Sequence, residues 1–226
     1  MRHALIFAAG RGERMRPLTD ATPKPLLRVG SRMLIEHHLE KLAAAGICDV
    51  VINTSHLADQ FPLALGDGSR WHLRIHYSYE GPTPLETGGG MKHALTVIGA
   101  SPFIAVSADI VSDYDYARLP GEPAGLAHLV MVPNPDFHPR GDFRLYGTCL
   151  SEEGVGERLT FGNIGVYRPE FVANEAASRF RLLPQFQSAM REGRLSGERY
   201  DGYWRNVGTP AQLAELEQAR FIRPAT

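Results

Sequence analysis

Two glycines one residue apart, interleaved with arginines, open the densest run of chemically useful residues in the chain: Ala8-Ala9-Gly10-Arg11-Gly12-Glu13-Arg14-Met15-Arg16-Pro17-Leu18. Glycines let a backbone approach a bulky anion and point its N–H groups inward. Three arginines fall within six residues, and Lys24 follows ten residues after Arg14, between Pro23 and Pro25. These are cationic donors suited to a triphosphate, and the flanking prolines limit the entropy lost in holding the lysine. The run lacks the Gly-Lys-Ser/Thr of a Walker loop and the third glycine of the dinucleotide fingerprint. A tight glycine turn with solvated arginines would use the same residue types, so the glycine spacing alone does not decide between them.

A carboxylate supplies the complementary chemistry. The apolar run Phe103–Val106 delivers Ser107-Ala108-Asp109. An acid at the carboxyl end of a parallel strand, beside a phosphate loop, is a natural Mg²⁺ ligand, because Mg²⁺ prefers oxygen and commonly takes one or two protein carboxylates. Asp113 is the neighbouring alternative and reads as the cap of a helix through Tyr116. Leu85-Glu86-Thr87-Gly88-Gly89-Gly90 exposes main-chain groups at a helix entry. Asn53, after a strand, can face a nucleotide or form a turn. No His–Asp pair suited to general-base work is evident. His37 and His38 are adjacent on a helix, face different ways and read as surface or rim residues. Cys48 and Cys149 read as small buried apolar residues without metal spacing.

The elements that must position these groups alternate in the first half. Strand-like runs at His3–Ala9, Val50–Ile52, Leu73–Tyr77 and Phe103–Val106 are separated by helical spacing at Met33–Ala45, Leu57–Leu65 and around Met91–Ile98. Strand and helix in alternation predict βαβ units and a mostly parallel Rossmann-like sheet flanked by helices, an α/β fold. In such sheets ligands sit beyond the carboxyl ends of the strands, which directs attention to Ala8–Gly12, Asn53–His56, Tyr79–Gly90 and Ser107–Asp113. The second half reads as strands at Leu129–Val132, Phe143–Leu150 and Leu159–Tyr167, then helices at Leu182–Glu192 and from Pro210 to about Arg220, the last capped by Thr209. This half is expected to form a small β-rich lid on the edge of the first.

The 226 residues suit one large α/β domain spanning 1–226. With 24 Lys and Arg against 25 Asp and Glu, the net charge of −1 offers no general attraction for nucleic acid or an anionic membrane. The chain opens directly on a strand-like run, and no apolar stretch approaches the ~20 residues of a membrane span, so a cytoplasmic protein without a signal peptide is expected.

Taken whole, the stretch from Ala8 to Leu26 closely resembles the signature of the nucleotide-sugar pyrophosphorylase superfamily, the sugar-1-phosphate nucleotidyltransferases: Ala-Ala-Gly-x-Gly-x-Arg-Met/Leu-x-Pro-Leu-Thr followed by Thr-Pro-Lys-Pro-Leu. The resemblance implies an enzyme that transfers a nucleotidyl group from a nucleoside triphosphate, UTP foremost, to a sugar 1-phosphate with release of pyrophosphate. It implies that Gly10, Arg11 and Gly12, with Ala8, wrap the triphosphate. Arg14 would brace the pyrophosphate, Lys24 would contact the α-phosphate, and Arg14, Lys24 and Asp109 would be the catalytic residues. Asn53, Ser107 and the Gly88 loop would serve the nucleotide, the last by reading the base with main-chain groups.

Relatives place Gly-Asp where this chain has Ala108-Asp109. Many place a second metal-binding aspartate in Trp-x-Asp-x-Gly-Thr, where Trp204-Arg205-Asn206-Val207-Gly208-Thr209 has asparagine. Asn206 is therefore expected to complete the Mg²⁺ site with Asp109. Asp142, in Arg140-Gly141-Asp142-Phe143, and Asn163, in Phe161-Gly162-Asn163-Ile164-Gly165, are expected to contact the sugar. The length, Leu85–Gly90, Arg140–Leu145 and Leu159–Phe161 point to the compact uridylyl-transferring members. Mannose-1-phosphate guanylyltransferases, phosphocholine cytidylyltransferases and non-catalytic regulatory subunits stay open as alternatives. The regulatory reading is disfavoured because Arg14, Lys24 and Asp109 are all present. The resemblance does not fix the sugar or the oligomeric state.

Overall fold

The computed structural model describes residues 2–218 of the chain. The chain begins with β1 (His3–Phe7), whose exit carries the glycine-rich loop, a short helix α1 (Leu18–Ala21) and the small hairpin β2 (Arg28–Val29) and β3 (Arg32–Met33). Next come α2 (Leu34–Ala44), β4 (Asp49–Thr54), α3 (Gln60–Leu65), β5 (Arg74–Tyr79), α4 (Glu86–Ile98), β6 (Phe103–Ser107) and β7 (Ile110–Ser112). The second half contributes β8 (Ala127–Val132), β9 (Phe143–Tyr146), β10 (Cys149–Ser151), β11 (Glu157–Tyr167), α5 (Glu170–Ala173), α6 (Leu183–Arg191), β12 (Leu195–Arg199), β13 (Trp204–Asn206) and α7 (Pro210–Gln218).

Nine strands form one sheet in the order β5-β4-β1-β6-β11-β8-β12-β10-β9. β5, β4, β1 and β6 run parallel, in register from His3↔Asp49 and His3↔Phe103. β1, β4 and β6 are buried on both faces because helices cover both, whereas β5, at the sheet edge, buries only some of its residues. Ile6, Val50 and Ile52 pack with Ile35, Leu39 and Leu42 of α2, whereas Leu5 and Val51 pack with Met91 and Ala94 of α4. β11 then joins β6 antiparallel and pairs with β8 and β9. The expected lid is thus continuous with the parallel half, as a mixed extension of its edge in which β12 pairs parallel with β8.

Several boundaries differ from expectation for local reasons. The third helix begins at Gln60, because Leu57 has φ 53° and turns the chain before it. The run 143–150 is two strands, broken at Gly147 with φ 59°. The last helix has its Thr209 cap, with Thr209 Oγ1 accepting from the Gln212 N–H at 3.3 Å, and the expected positions 219 and 220 lie outside the described residues. Cys48 is half-buried and Cys149 exposed, so neither is the core residue expected; in β10, Leu150 alternates inward and Cys149 outward.

Candidate active site

The carboxyl ends of β1, β4 and β6 converge on a cavity of about 570 Å³ lined by Gly10, Arg11, Gly12, Arg14, Lys24 and Asp109, among others. The loop after β1 is held from behind. Asn53, buried at the end of β4, accepts the Ala8 N–H on Oδ1 at 2.6 Å and donates Nδ2 to Glu80 Oε1 at 2.6 Å. Glu80 in turn accepts the Leu85 N–H at 2.7 Å. Burial pushes the Glu80 carboxyl up, and these two hydrogen bonds oppose that. Asn53, expected to face the nucleotide, thus holds the loop through the Ala8 N–H. Glu80 was not singled out in the sequence; its only signal is an acid placed just after a strand within the Tyr79–Gly90 window.

Gly12 has φ 63°, and a Cβ there would lie 3.0 Å from Thr19 and 3.2 Å from Lys24. It must be glycine both for its backbone and for the close return of the loop. Thr19 Oγ1 closes that return by donating to the Gly12 carbonyl at 2.9 Å. Arg11 and Arg14 line the cavity, whereas Arg16 turns away to pair with Asp20 at 3.0 Å. Gly208 leaves room for Arg14, whose guanidinium a Cβ there would meet at 3.1 Å.

Lys24 is buried in the loop, and its Nζ lies 2.7 Å from Asp109 Oδ2. Asp109 follows β6 and is reached a second time from the chain's end. β13 pairs antiparallel with β7, Asn206 opposite Ile110, and the Val207 N–H donates to the Asp109 carbonyl at 2.8 Å. That pairing carries the Asn206 Nδ2 to 3.4 Å from Asp109 Oδ2. Three residues distant in sequence thus meet at one oxygen. Among the described residues there is no group of three His, Cys, Asp or Glu placed to hold an ion.

The three glycines of α4 have a different role from the one expected. A Cβ on Gly88 would strike the Phe180 ring at 2.3 Å, one on Gly89 the Ser178 carbonyl at 2.3 Å, and one on Gly90 the Glu80 carboxylate at 2.3 Å. The Gly88 and Gly89 N–H groups donate to the Phe180 carbonyl at 2.9 and 3.1 Å. Gly88 is therefore packed beneath the strap of residues 174–182, with its N–H spent, and Glu86 and Thr87 form the cavity wall in its place.

A second cavity of about 440 Å³ shares Phe7, Glu86, Thr87 and Ser107 with the first. Asp142 and Asn163 both line it, together with Phe161, Phe186 and Arg181. Asp142 is already engaged: Oδ1 accepts from His138 Nε2 at 3.0 Å and Oδ2 from the Phe161 N–H at 2.8 Å. Asn163 has φ 55° and sits where the register between β11 and β8 shifts. Asparagine tolerates that left-handed conformation better than most residues, and here it borders the cavity.

Two further expectations are corrected. His38 is fully buried, shares a 2.8 Å hydrogen bond with Tyr116 OH and belongs to the interior; His37 Nε2 donates to the Ser112 carbonyl at 2.8 Å. The short turn through Tyr116 is capped by Asp115, which accepts the Ala117 N–H at 2.9 Å. Asp113 accepts from Tyr200 OH instead.

Residues 3–122 match the nucleotidyl transferase family. The chain is 44% identical, over 95% of its length and 96% of the relative's, to an N-acetylmuramate alpha-1-phosphate uridylyltransferase of Neisseria meningitidis. It is 32% identical, over 93% and 94%, to the protein of the same name in Caulobacter vibrioides. A mannose-1-phosphate guanyltransferase of Aspergillus fumigatus is 32% identical over 92% of this chain and 61% of its own length. Among solved structures, a Bacillus anthracis protein taken to be a glucose-1-phosphate thymidylyltransferase, in complex with a sucrose, superposes with a TM-score of 0.86 at 20% identity, covering 100% of this chain and 98% of its own. HddC from Yersinia pseudotuberculosis, complexed with GMP-PN, reaches 0.77 at 20% identity, covering 97% and 100%. These two carry the fold alone.

Proposed function

The chain belongs to the nucleotidyl transferase family, and from that premise we propose that it transfers a uridylyl group from UTP to N-acetylmuramic acid 1-phosphate, releasing pyrophosphate, in the reuse of bacterial cell-wall sugar. The observation that carries the reading is the 44% identity across nearly the whole length of both chains. Two connected cavities, meeting at Phe7, Glu86, Thr87 and Ser107, support it by offering room for two substrates side by side.

Catalysis in this reading is alignment and charge neutralisation. The nucleophile is a phosphate oxygen of the sugar phosphate. The second pKa of such a phosphate is near 6, so the oxygen is already anionic at neutral pH and needs no side-chain base. The glycine loop and Arg11 hold the triphosphate, and Arg14 braces the leaving pyrophosphate. Lys24 exchanges Asp109 for the α-phosphate. Asp109 and Asn206 suit Mg²⁺, an ion that accepts few protein ligands and mostly phosphate and water oxygens. For that, the Asn206 amide must turn over, since its Nδ2 end faces Asp109. Bound there, the ion supplies positive charge to the nucleotide phosphates. We place the enzyme in the cytoplasm, where UTP is; no helix of the described residues is long and apolar enough to cross a membrane.

A coupled pyrophosphate-release assay over UTP, GTP, CTP and dTTP with several sugar 1-phosphates tests the assignment. UTP with N-acetylmuramic acid 1-phosphate is expected to give the highest kcat/KM. GTP with mannose 1-phosphate as the preferred pair would replace it with the guanylyl reading, and no turnover with any pair would favour a nucleotide-sugar-binding subunit.

A further inference from the structure

The sugar-side cavity is apolar over much of its wall, through Phe143, Phe161, Leu183 and Phe186, and Arg181 is the one cation among the described residues that line it. Arg181 stands on a backbone that is tied down at several points. The Phe180 N–H donates to the Leu85 carbonyl at 3.2 Å, the Phe180 carbonyl accepts from Gly88 and Gly89, and the Leu182 N–H donates to Thr87 Oγ1 at 3.2 Å. The Arg181 side chain is 78% exposed. It faces Glu86, which it shares with Arg179, each at 3.4 Å. Charge-assisted N–H···O bonds normally close to ~2.7–2.9 Å, so these contacts are long and one carboxylate is divided between two guanidiniums. The cluster therefore keeps a net positive charge and free donor geometry beside a cavity whose other lining residues are apolar, neutral polar or acidic.

The geometry points to Arg181 as a carboxylate subsite, the contact by which this enzyme selects an acidic sugar phosphate over a neutral one. The inference rests on the substrate proposed above. N-acetylmuramic acid is an N-acetylated amino sugar bearing a lactyl ether, and its carboxylate is the group that distinguishes it from neutral sugar phosphates. A planar guanidinium suits a carboxylate because its fork of donors can meet both oxygens. The strap's attachments to Leu85, Thr87, Gly88 and Gly89 fix the distance between this fork and the nucleotide loop. The acid group of the sugar is thus read by an element that also forms the wall between the two cavities.

The test compares N-acetylmuramic acid 1-phosphate with its lactyl methyl ester, which has the same sugar and almost the same shape without the charge. The wild-type ratio of kcat/KM, acid over ester, is expected to be on the order of tenfold or more, as for a charge-assisted bond. In Arg181→Gln the ratio should fall to near one, chiefly through a raised KM for the acid, and Arg181→Lys should restore part of it. An unchanged ratio in Arg181→Gln overturns the subsite while leaving the substrate assignment standing. If the wild type ignores both acid and ester but uses a neutral hexose 1-phosphate, the substrate assignment is what failed, and the subsite falls with it.

Discussion

Lys24 carries the most argument of any single residue. It is buried, fixed between prolines, and paired at 2.7 Å with the carboxylate that is expected to meet the metal. The pair gives Lys24 a resting place beside Asp109, from which, in the proposed reaction, a small movement would bring its charge to the α-phosphate. Lys24→Ala should therefore lower kcat by on the order of 10²-fold or more, as removal of one preorganised electrostatic donor does. Its KM for the nucleotide should change less. Steady-state kinetics with saturating sugar phosphate separate the two, and a variant with wild-type kcat and only a raised KM would make Lys24 a binding residue. Asn206 shows the limit of motif reading at this scale. Its place in Trp204–Thr209 is plain in the sequence, but its amide orientation follows from the pairing of β13 with β7, which local spacing does not announce.

Glycine marks the difference between loop and helix at the scale of elements. Gly10 lines the nucleotide cavity and a Cβ there would meet nothing within 4 Å, whereas a Cβ on Gly89 would lie 2.3 Å from the Ser178 carbonyl and 3.2 Å from Arg179 Cα. Alanine at position 89 gains ~1 kcal/mol of helix propensity, but overpacking against backbone costs ~1–3 kcal/mol, so the net change is destabilising. Gly89→Ala should lower the thermal midpoint and disturb the strap. Gly10→Ala should leave the midpoint close to wild type while cutting turnover, because the methyl stands where the anion must approach. Differential scanning calorimetry beside the activity assay checks both, and a Gly89→Ala protein as stable as wild type would mean that the strap yields freely. These contrasts explain what was legible beforehand. The glycine loop, Lys24 and Asp109 were readable because they lie in one contiguous segment or at one strand end. The parallel half was readable because β1, β4 and β6 carry apolar runs between amphipathic helices. Glu80, the strap over Gly88 and the subsite at Arg181 depend on segments 27 to 95 residues away folding back. Nothing in local composition records such a return.

Across the whole molecule, the site lies at the carboxyl ends of the parallel strands, and α2 brings two histidines together with Tyr116 and the Lys41 ammonium. Burial holds His38 well below the usual histidine range, with the neighbouring His37 and Lys41 adding to the effect. Burial likewise pushes His37 down to about 4, although its hydrogen bond to the Ser112 carbonyl opposes this. Each histidine is neutral in the folded protein and titrates near 6.5 when unfolded. Below pH 6.5 the unfolded chain takes up protons that the folded chain does not, so folding stability falls as the pH falls, for His37 until about pH 4. Each histidine that stays neutral contributes up to ~1.4 kcal/mol of this loss per pH unit. Asp49, held well below the usual carboxylate range by the Arg74 guanidinium, acts in the same direction only at lower pH, below the unfolded carboxylate value near 4. Between pH 7.5 and 5 the histidines should therefore dominate. Urea unfolding across that range should show wild-type stability declining, and a His37→Gln, His38→Gln variant, whatever its absolute stability, should show a flatter dependence. Equal slopes in the two proteins would mean that this buried pair takes up its protons in the folded state and that the acid sensitivity arises elsewhere.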